Sequence, residues 1–297
     1  MKMNVSVIIV NYNTKELILN CIRSIISQTS NLTYEIIVVD NASIDGSQQA
    51  IKTNYPSVIL IEAKENLGFG RANNLGAEKA NGKYLFFLNS DTVLLNNSIQ
   101  VLFDFNEVNS KNFRIGISGG ILIDNNRLET GSFGPLPTKT NVLKSILGLL
   151  PRFTKMTLNE TKYFQNNGYL DVGYITGADM FISKSIFQDI GGFDPNIFMY
   201  YEETDMQQRL RNSSYRNFVI EGTQIIHLEG SSLNQANEKN KKRLIVTKSM
   251  FYYFRKHSSF NFLIFKILFL IIRLPTIFHP GYSWQEKKEY ILNIINS

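Results

Sequence analysis

Side chains able to do chemistry gather where apolar runs stop. Five apolar residues, from Tyr84 to Leu88, lead straight into Asn89, Ser90 and Asp91. Asn11-Tyr12-Asn13 follows the run Val5–Val10, and Asp40-Asn41 ends the run Glu35–Val39. An acid in such a place can meet a cation carrying a diphosphate, since hard cations take oxygen ligands; Asp91 is the candidate. Asp40 could accept hydrogen bonds from a base or ribose, Tyr12 could lie against the base, and Arg71 could hold an anion or a base carbonyl. Glu202, Glu203 and Asp205 form a second acidic group behind the apolar stretch Phe198-Met199-Tyr200-Tyr201, so they enter from a buried wall. His227 stands out among three histidines because it follows Ile225-Ile226 and precedes Glu229-Gly230-Ser231. Taken singly, each polar cluster reads better as turn formers or caps, the acids as a solvated first helical turn, and the histidine as structural. Three clusters on one edge, with Arg71 beside them, favour a nucleotide site.

The elements that position these groups alternate strand and helix. Strands are expected at 5–10, 35–40, 58–63 and 84–89, each apolar enough to be buried on both faces. Helices are expected at 15–28, with Thr14 as N-cap, from the turn Asn41–Gly46 to Asn54, and after the Gly-rich turn 66–76. This alternation predicts a parallel sheet with crossover helices, and ligands then sit beyond the carboxyl ends of the strands. Gly68 and Gly70 lack the GxGxxG spacing and follow the third strand, and no GxxxxGK[ST] loop is present, which disfavours dinucleotide and P-loop sites. Further on come a helix at 96–109, a strand at 115–123, and an irregular insertion at 124–170 assigned to acceptor binding or a lid. A strand at 172–182 interrupted by Gly177, a helix at 184–190, a turn at 191–195, a helix from about Glu203, and strands at 217–221 and 224–228 complete the pattern.

With 43% hydrophobic and 19% charged residues the chain is globular. Its lone Cys21 excludes a disulfide framework and a Cys-based zinc site. The N-terminal apolar run is too short for a signal peptide, so a cytosolic chain is expected. The net charge of +6 is uneven: residues 239–297 hold eleven of the 31 Lys/Arg and two of the 25 Asp/Glu. That places the excess in the tail and favours an anionic membrane surface over nucleic acid, which no interleaved basic and aromatic patch supports. Phe260–Leu274 is strongly apolar but interrupted by Lys266 and shorter than the roughly twenty residues of a membrane span. It suits a helix lying in the interface, flanked by Arg255, Lys256, Arg273, Tyr252, Tyr253 and Trp284; the alternative is a core helix or an oligomer contact.

In order, VSVIIVNYN, VVDNASIDGS, NLGFGRANNLG, FLNSD, TGADMFISK, IGGFDPNIFMYYEETDMQQR and HLEGSS resemble the inverting family 2 glycosyltransferases, over about residues 4–257. The nearest subgroup is similar to bacterial rhamnosyltransferase-like enzymes of cell-surface polysaccharide synthesis. The resemblance implies an α/β GT-A (Rossmann-like), mostly parallel sheet flanked by helices, with an amphipathic helical C-terminal tail. It divides the chain into a transferase domain, 1–236, with a nucleotide-binding half, 1–110, and an acceptor and catalytic half, 111–236; the basic tail is 237–297. It implies nucleotide contacts from Asn11, Tyr12, Asp40 and Arg71, Mg2+ or Mn2+ on Asp91 and His227, Glu203 as catalytic base, and Glu202 or Asp205 orienting the acceptor. It implies a nucleotide-sugar donor (dTDP-rhamnose, with UDP-sugars as the alternative), a glycan or polyprenyl-linked acceptor, and a place at the cytoplasmic face of the bacterial membrane. The family's Asp-x-Asp reads Asn89-Ser90-Asp91 here, so Asp91 is expected to be that motif's one carboxylate on the metal. A nucleotidyltransferase is disfavoured because no Gly-rich basic loop follows the first strand. A non-catalytic scaffold is disfavoured because the acids are present.

Overall fold

The computed structural model describes residues 2–148, 168–228, 236–278 and 280–297. Four apolar runs become β1 (Val5–Asn11), β2 (Tyr34–Asp40), β3 (Ile59–Glu62) and β4 (Tyr84–Asn89), linked by the helices α1 (Lys15–Gln28), α2 (Ser47–Asn54) and α3 (Phe69–Lys79). These strands pair in parallel, with Asn11 opposite Asp40 and Val10 opposite Asn89. The register alone sets the polar strand ends side by side. Thr14 was expected to cap α1, but its hydroxyl donates to Asn11 Oδ1 at 2.7 Å and lies 3.0 Å from Ser90 Oγ. Asp45 Oδ2 takes the Lys15 N–H instead, at 2.8 Å. The carboxylate wins that position because the β2–α2 turn delivers it there.

Beyond β4 the chain forms β5 (Thr92–Leu94), α4 (Ser98–Asn109), β6 (Ile115–Gly119), β7 (Leu122–Ile123), β8 (Phe133–Gly134) and α5 (Lys139–Ile146). It continues through β9 (Tyr169–Val172), β10 (Tyr174–Ile175), β11 (Asp179–Ser183), α6 (Lys184–Asp189), α7 (Glu202–Asn212), β12 (Arg216–Ile220) and β13 (Ile225–His227). The main sheet has eight strands in the order β3-β2-β1-β4-β11-β6-β12-β9, with β11 and β9 running against the rest. A smaller sheet, β5-β13-β7, hangs below its carboxyl edge.

Two expected strands divide. The 115–123 run breaks after Gly119, where Gly120 N donates to Asp179 Oδ2 at 2.5 Å and leaves the ladder. The 172–182 run becomes three strands because each pairs elsewhere: β9 on β12, β10 on β8, and β11 between β4 and β6. Of the insertion expected at 124–170, the described part includes β8 and α5, and 149–167 lie outside the described residues.

Period-two alternation divides β4 between the two faces of the sheet. Tyr84, Phe86 and Leu88 join Ile18, Ile22 and Leu102 on one side. Leu85 and Phe87 join Ile8, Met206 and Leu210 on the other. A third cluster ties together the tail helices α8 (Ala236–His257), α9 (Phe262–Arg273) and α10 (Trp284–Asn296) through Phe251, Phe254, Phe265, Phe269 and Tyr290. Among the described residues no helix is long and apolar enough to cross a membrane.

An ionic cluster fastens α8 to α7. Lys256 Nζ sits 2.6 Å from Asp194 Oδ2 and 2.7 Å from Asp205 Oδ1. Asp205 is also met by His257 Nε2 at 2.7 Å and by Arg209 Nε at 2.8 Å. Burial raises both carboxyls, but these partners outweigh it, holding Asp205 below its ordinary value and Asp194 at about 2. Removing one member of such a buried set leaves charge uncompensated. The remaining partners of Asp205 and the partial exposure of Lys256 moderate the cost. Lys256→Met is expected to lower unfolding free energy by about 2 kcal/mol at neutral pH in a urea titration. Both acids titrate below their unfolded value, so the difference from wild type should be full above about pH 4 and shrink as pH falls toward 2.

Candidate active site

A cleft of about 480 Å³ opens at the carboxyl ends of β1 and β4. Its walls include Tyr12, Asn89, Ser90, Asp91, Phe69 and Tyr200. Asn11 and Asp40 lie beneath it, fully buried. Asp40 accepts from Asn11 Nδ2 at 2.8 Å, Ser43 N at 2.9 Å and Gln48 Nε2 at 2.7 Å. These two residues therefore brace the loops that carry Tyr12 and Asn13, while Tyr12 itself is 47% exposed. Arg71 is exposed on α3, its Nε donates to Leu67 O at 2.8 Å, and it does not line the cleft.

Asn41 anchors the Gly-rich loop, accepting from Leu67 N at 2.8 Å and donating to Gly68 O at 3.1 Å. Gly68 has φ +80°, and a Cβ there would stand 2.0 Å from Phe198 O. Only glycine admits both the left-handed backbone and that approach. The contact joins the first half of the chain to the loop that introduces the acids.

Asp91 and His227 meet across the β4–β5 turn. His227 is opposite Thr92 in the small sheet, and its Nε2 lies 3.3 Å from Asp91 Oδ1. Leu228 N donates to Asp91 O at 3.0 Å and fixes the turn. A carboxylate on the cleft wall with an imidazole nitrogen behind it suits Mg2+ or Mn2+, Mn2+ being the more tolerant of nitrogen. Among the described residues no group of three or more His, Cys, Asp or Glu converges on such a point, so substrate oxygens and water would complete the shell.

Tyr200 and Tyr201 both adopt left-handed backbone, φ +64° and +69°, immediately before α7. Non-glycine residues there cost of order 1–3 kcal/mol each. This turn delivers Glu202 and Glu203 into a dry wall. Glu202 is 4% exposed, and its Oε2 has no hydrogen-bond partner. Burial, then the charge of Glu203, push its carboxyl well above the usual range. Burial raises Glu203 too, opposed by Tyr174, whose hydroxyl donates to Oε1 at 2.9 Å. Glu203 Oε2 is enclosed without a partner, and the residue lines a second cavity of about 310 Å³. Adjacent buried acids cannot both ionise cheaply. Of the two, Glu202 is pushed further from ionisation, and Tyr174 favours the charged form of Glu203 alone.

Structure brings together Asp91 with His227, Tyr12 at the same cleft, and Glu203 beside it. Asp205 departs from expectation: it is fully buried and bonded to Arg209, Lys256 and His257, so it joins helices and reaches neither cavity. Sequence reading missed Tyr174, Gln207 and the tail lysines. Gln207 is buried and clamps Ile175 from both sides, accepting from its N–H and donating to its C=O, each at 2.7 Å. Its position four residues after Glu203 was the available signal. Lys241 and Lys242, from α8, line the first cleft.

A family model described as glycosyl transferase family 2 matches residues 6–191. The N-acetylglucosaminyl-diphospho-decaprenol L-rhamnosyltransferase of Mycobacterium tuberculosis is 26% identical over 210 residues, covering 66% of this chain and 67% of that protein. The low-salt glycan biosynthesis hexosyltransferase of Haloferax volcanii is 30% identical over 215 residues, covering 71% of this chain and 62% of that protein. A solved mannosyltransferase from Pyrobaculum calidifontis, in complex with GDP-Man and Mn2+, shares the fold with TM-score 0.58 at 13% identity, covering 100% of this chain and 87% of its own.

Gln207→Leu removes both bonds to Ile175 and leaves a buried N–H and C=O unpaired. It should cost about 2–4 kcal/mol in unfolding experiments. Hydrogen exchange should rise first at Ile175, the residue the amide clamps.

Proposed function

From a chain that belongs to glycosyl transferase family 2, we propose an inverting transferase that moves a sugar from a nucleotide-sugar donor to a glycan or lipid-linked acceptor. The observation that carries the reading is Glu203, a buried acid with an unpartnered oxygen that lines one cavity, while Asp91 lines the other. The donor's nucleotide lies in the larger cleft, against Tyr12 and over the loops that Asn11 and Asp40 brace. Asp91 and His227 would hold a divalent cation, Mg2+ or Mn2+, which when bound neutralises charge on the diphosphate. Lys241 and Lys242 add fixed positive charge in the same wall.

The acceptor hydroxyl enters the smaller cavity. Glu203 takes its proton as the oxygen bonds to the anomeric carbon, and the bond from that carbon to the diphosphate breaks with its electron pair leaving on oxygen. Attack from the face opposite the leaving group inverts the centre, by analogy with inverting glycosidases. Glu202, pushed further from ionisation, keeps the wall to a single negative charge. dTDP-rhamnose and a polyprenyl-diphosphate-linked acceptor are the preferred pair, supported by the name of the mycobacterial relative. A UDP-sugar is the second donor reading, and a donor panel with Mn2+ separates them by thermal shift. The tail fits an anionic membrane surface: Leu263, Ile264, Ile267 and Ile271 are exposed on α9, with Phe260 and Trp284 exposed nearby in sequence, in a strongly basic segment.

Glu203→Gln should abolish transfer, a loss of at least about 100-fold, with donor binding near wild type by calorimetry. Because burial raises this carboxyl, wild-type activity should climb with pH through a value above the usual 4.3 or so of glutamate. Retained transfer in the variant would remove Glu203 from the role. His227→Ala should raise the Mn2+ concentration for half-maximal nucleotide binding by about tenfold; an unchanged titration would exclude it as a ligand.

A further inference from the structure

Beside the smaller cavity lies a groove of about 520 Å³ between α5, α8 and α9. The two spaces meet at Pro137, which stands in both walls. The helices set them in line. Thr204 lines the cavity, and Gln208, one turn further along α7, lines the groove. Val246 and Tyr253 repeat the step on α8, about 10 Å apart along the axis. Tyr253 Oη donates to Gln208 Oε1 at 3.1 Å and ties the two helices there. Two residues past Pro137, Lys139 lines the groove; its ammonium donates to Ser258 O and Phe260 O and keeps a third hydrogen. Further on the lining is apolar. Phe254 and Phe265 are buried, while Phe260, Ile264 and Leu268 are 83%, 56% and 43% exposed.

Ile264 and Leu268 stand one turn apart on the same side of α9, an apolar stripe that gains by being covered. What covers it is narrowed by what adjoins it. A ligand that starts in the smaller cavity and continues past Pro137 meets a cation first and hydrocarbon-lined walls afterwards. A sugar joined through a diphosphate to a lipid has its parts in that order. The groove has room for roughly seventeen waters, and hence for one chain of about fifteen carbons rather than a pair, which favours a single isoprenoid over a diacyl lipid. We propose that this groove binds the isoprenoid chain of a lipid-linked acceptor, its first carbons beside Pro137 and Lys139 and its later ones over Ile264 and Leu268. The inference rests on the proposed transferase reading and adds where the lipid of its acceptor lies. It also divides α9 into two apolar sides: Ile264 and Leu268 hold the chain, and Leu263 and Ile267, exposed but outside the groove, are left for the membrane surface.

The test uses the full chain saturated with UDP or dTDP and Mn2+, titrated calorimetrically with geranyl, farnesyl and geranylgeranyl diphosphates below their micelle-forming concentrations, with inorganic pyrophosphate as control. Farnesyl diphosphate should bind at least about tenfold more tightly than geranyl diphosphate, and the longer geranylgeranyl chain, which overruns the groove, should gain less than about threefold more. Ile264→Asp and Leu268→Asp should each weaken farnesyl diphosphate about tenfold; Leu263→Asp and Ile267→Asp should change it less than about twofold while lowering binding to phosphatidylglycerol vesicles. Both wild-type residues of the first pair are exposed, so the substitutions leave the core as it is. Pyrophosphate binding as tightly as farnesyl diphosphate, an affinity that climbs undiminished with chain length, or equal effects of all four substitutions would each overturn the inference, the last by assigning the whole helix to the membrane. Failure of both nucleotides to bind would instead overturn the transferase reading beneath it.

Discussion

Glu202 and Glu203 are neighbours in a wall that water hardly reaches, and such a wall can carry one negative charge but not two. The rest of the site follows from that limit. Tyr174 donates to Glu203 and not to Glu202, so it favours charge on the residue that lines the smaller cavity. Gln207 fixes the backbone next to Tyr174, and the strained pair Tyr200-Tyr201 turns the chain sharply enough to begin the helix inside the wall. A solvated acidic turn would need none of these supports. Their concentration within one helical turn sets these acids apart from a solvated capping turn.

The first half of the fold was legible in the residues because buried parallel strands write themselves as unbroken apolar runs. Val5–Val10, Glu35–Asp40 and Tyr84–Asn89 were recovered almost to the residue, and with them the edge on which Tyr12 and Asp91 stand. The second half was not, because its strands are short and choose partners far away in the chain. No local pattern says that residues 169–183 serve four different neighbours. Side-chain direction was also hidden. Glu203 and Asp205 read alike as acids of one motif, yet their positions on the helix turn one to the smaller cavity and the other to the tail.

That difference recasts the tail. Charge counting separated residues 239–297 as a basic appendage with a surface of its own. The exposed apolar side of α9 agrees with that reading, but α8 does more than connect it. One end of α8 lends Lys241, Lys242 and Ile245 to the larger cleft and Val246 to the smaller cavity. The other end neutralises Asp205 and Asp194. The helix that supports the acids thus relies on cations from beyond the first 236 residues.

Tyr200 stands in the walls of both cavities. A partition held in common makes the two compartments thermodynamically answerable to each other. Any displacement of the ring that filling the larger cleft brings about alters the space on its far side. Linkage then requires the effect to be reciprocal: whatever factor the first ligand imposes on the affinity of the second, the second imposes on the first. One aromatic ring thereby couples the contents of the two cavities, with the same factor in either direction.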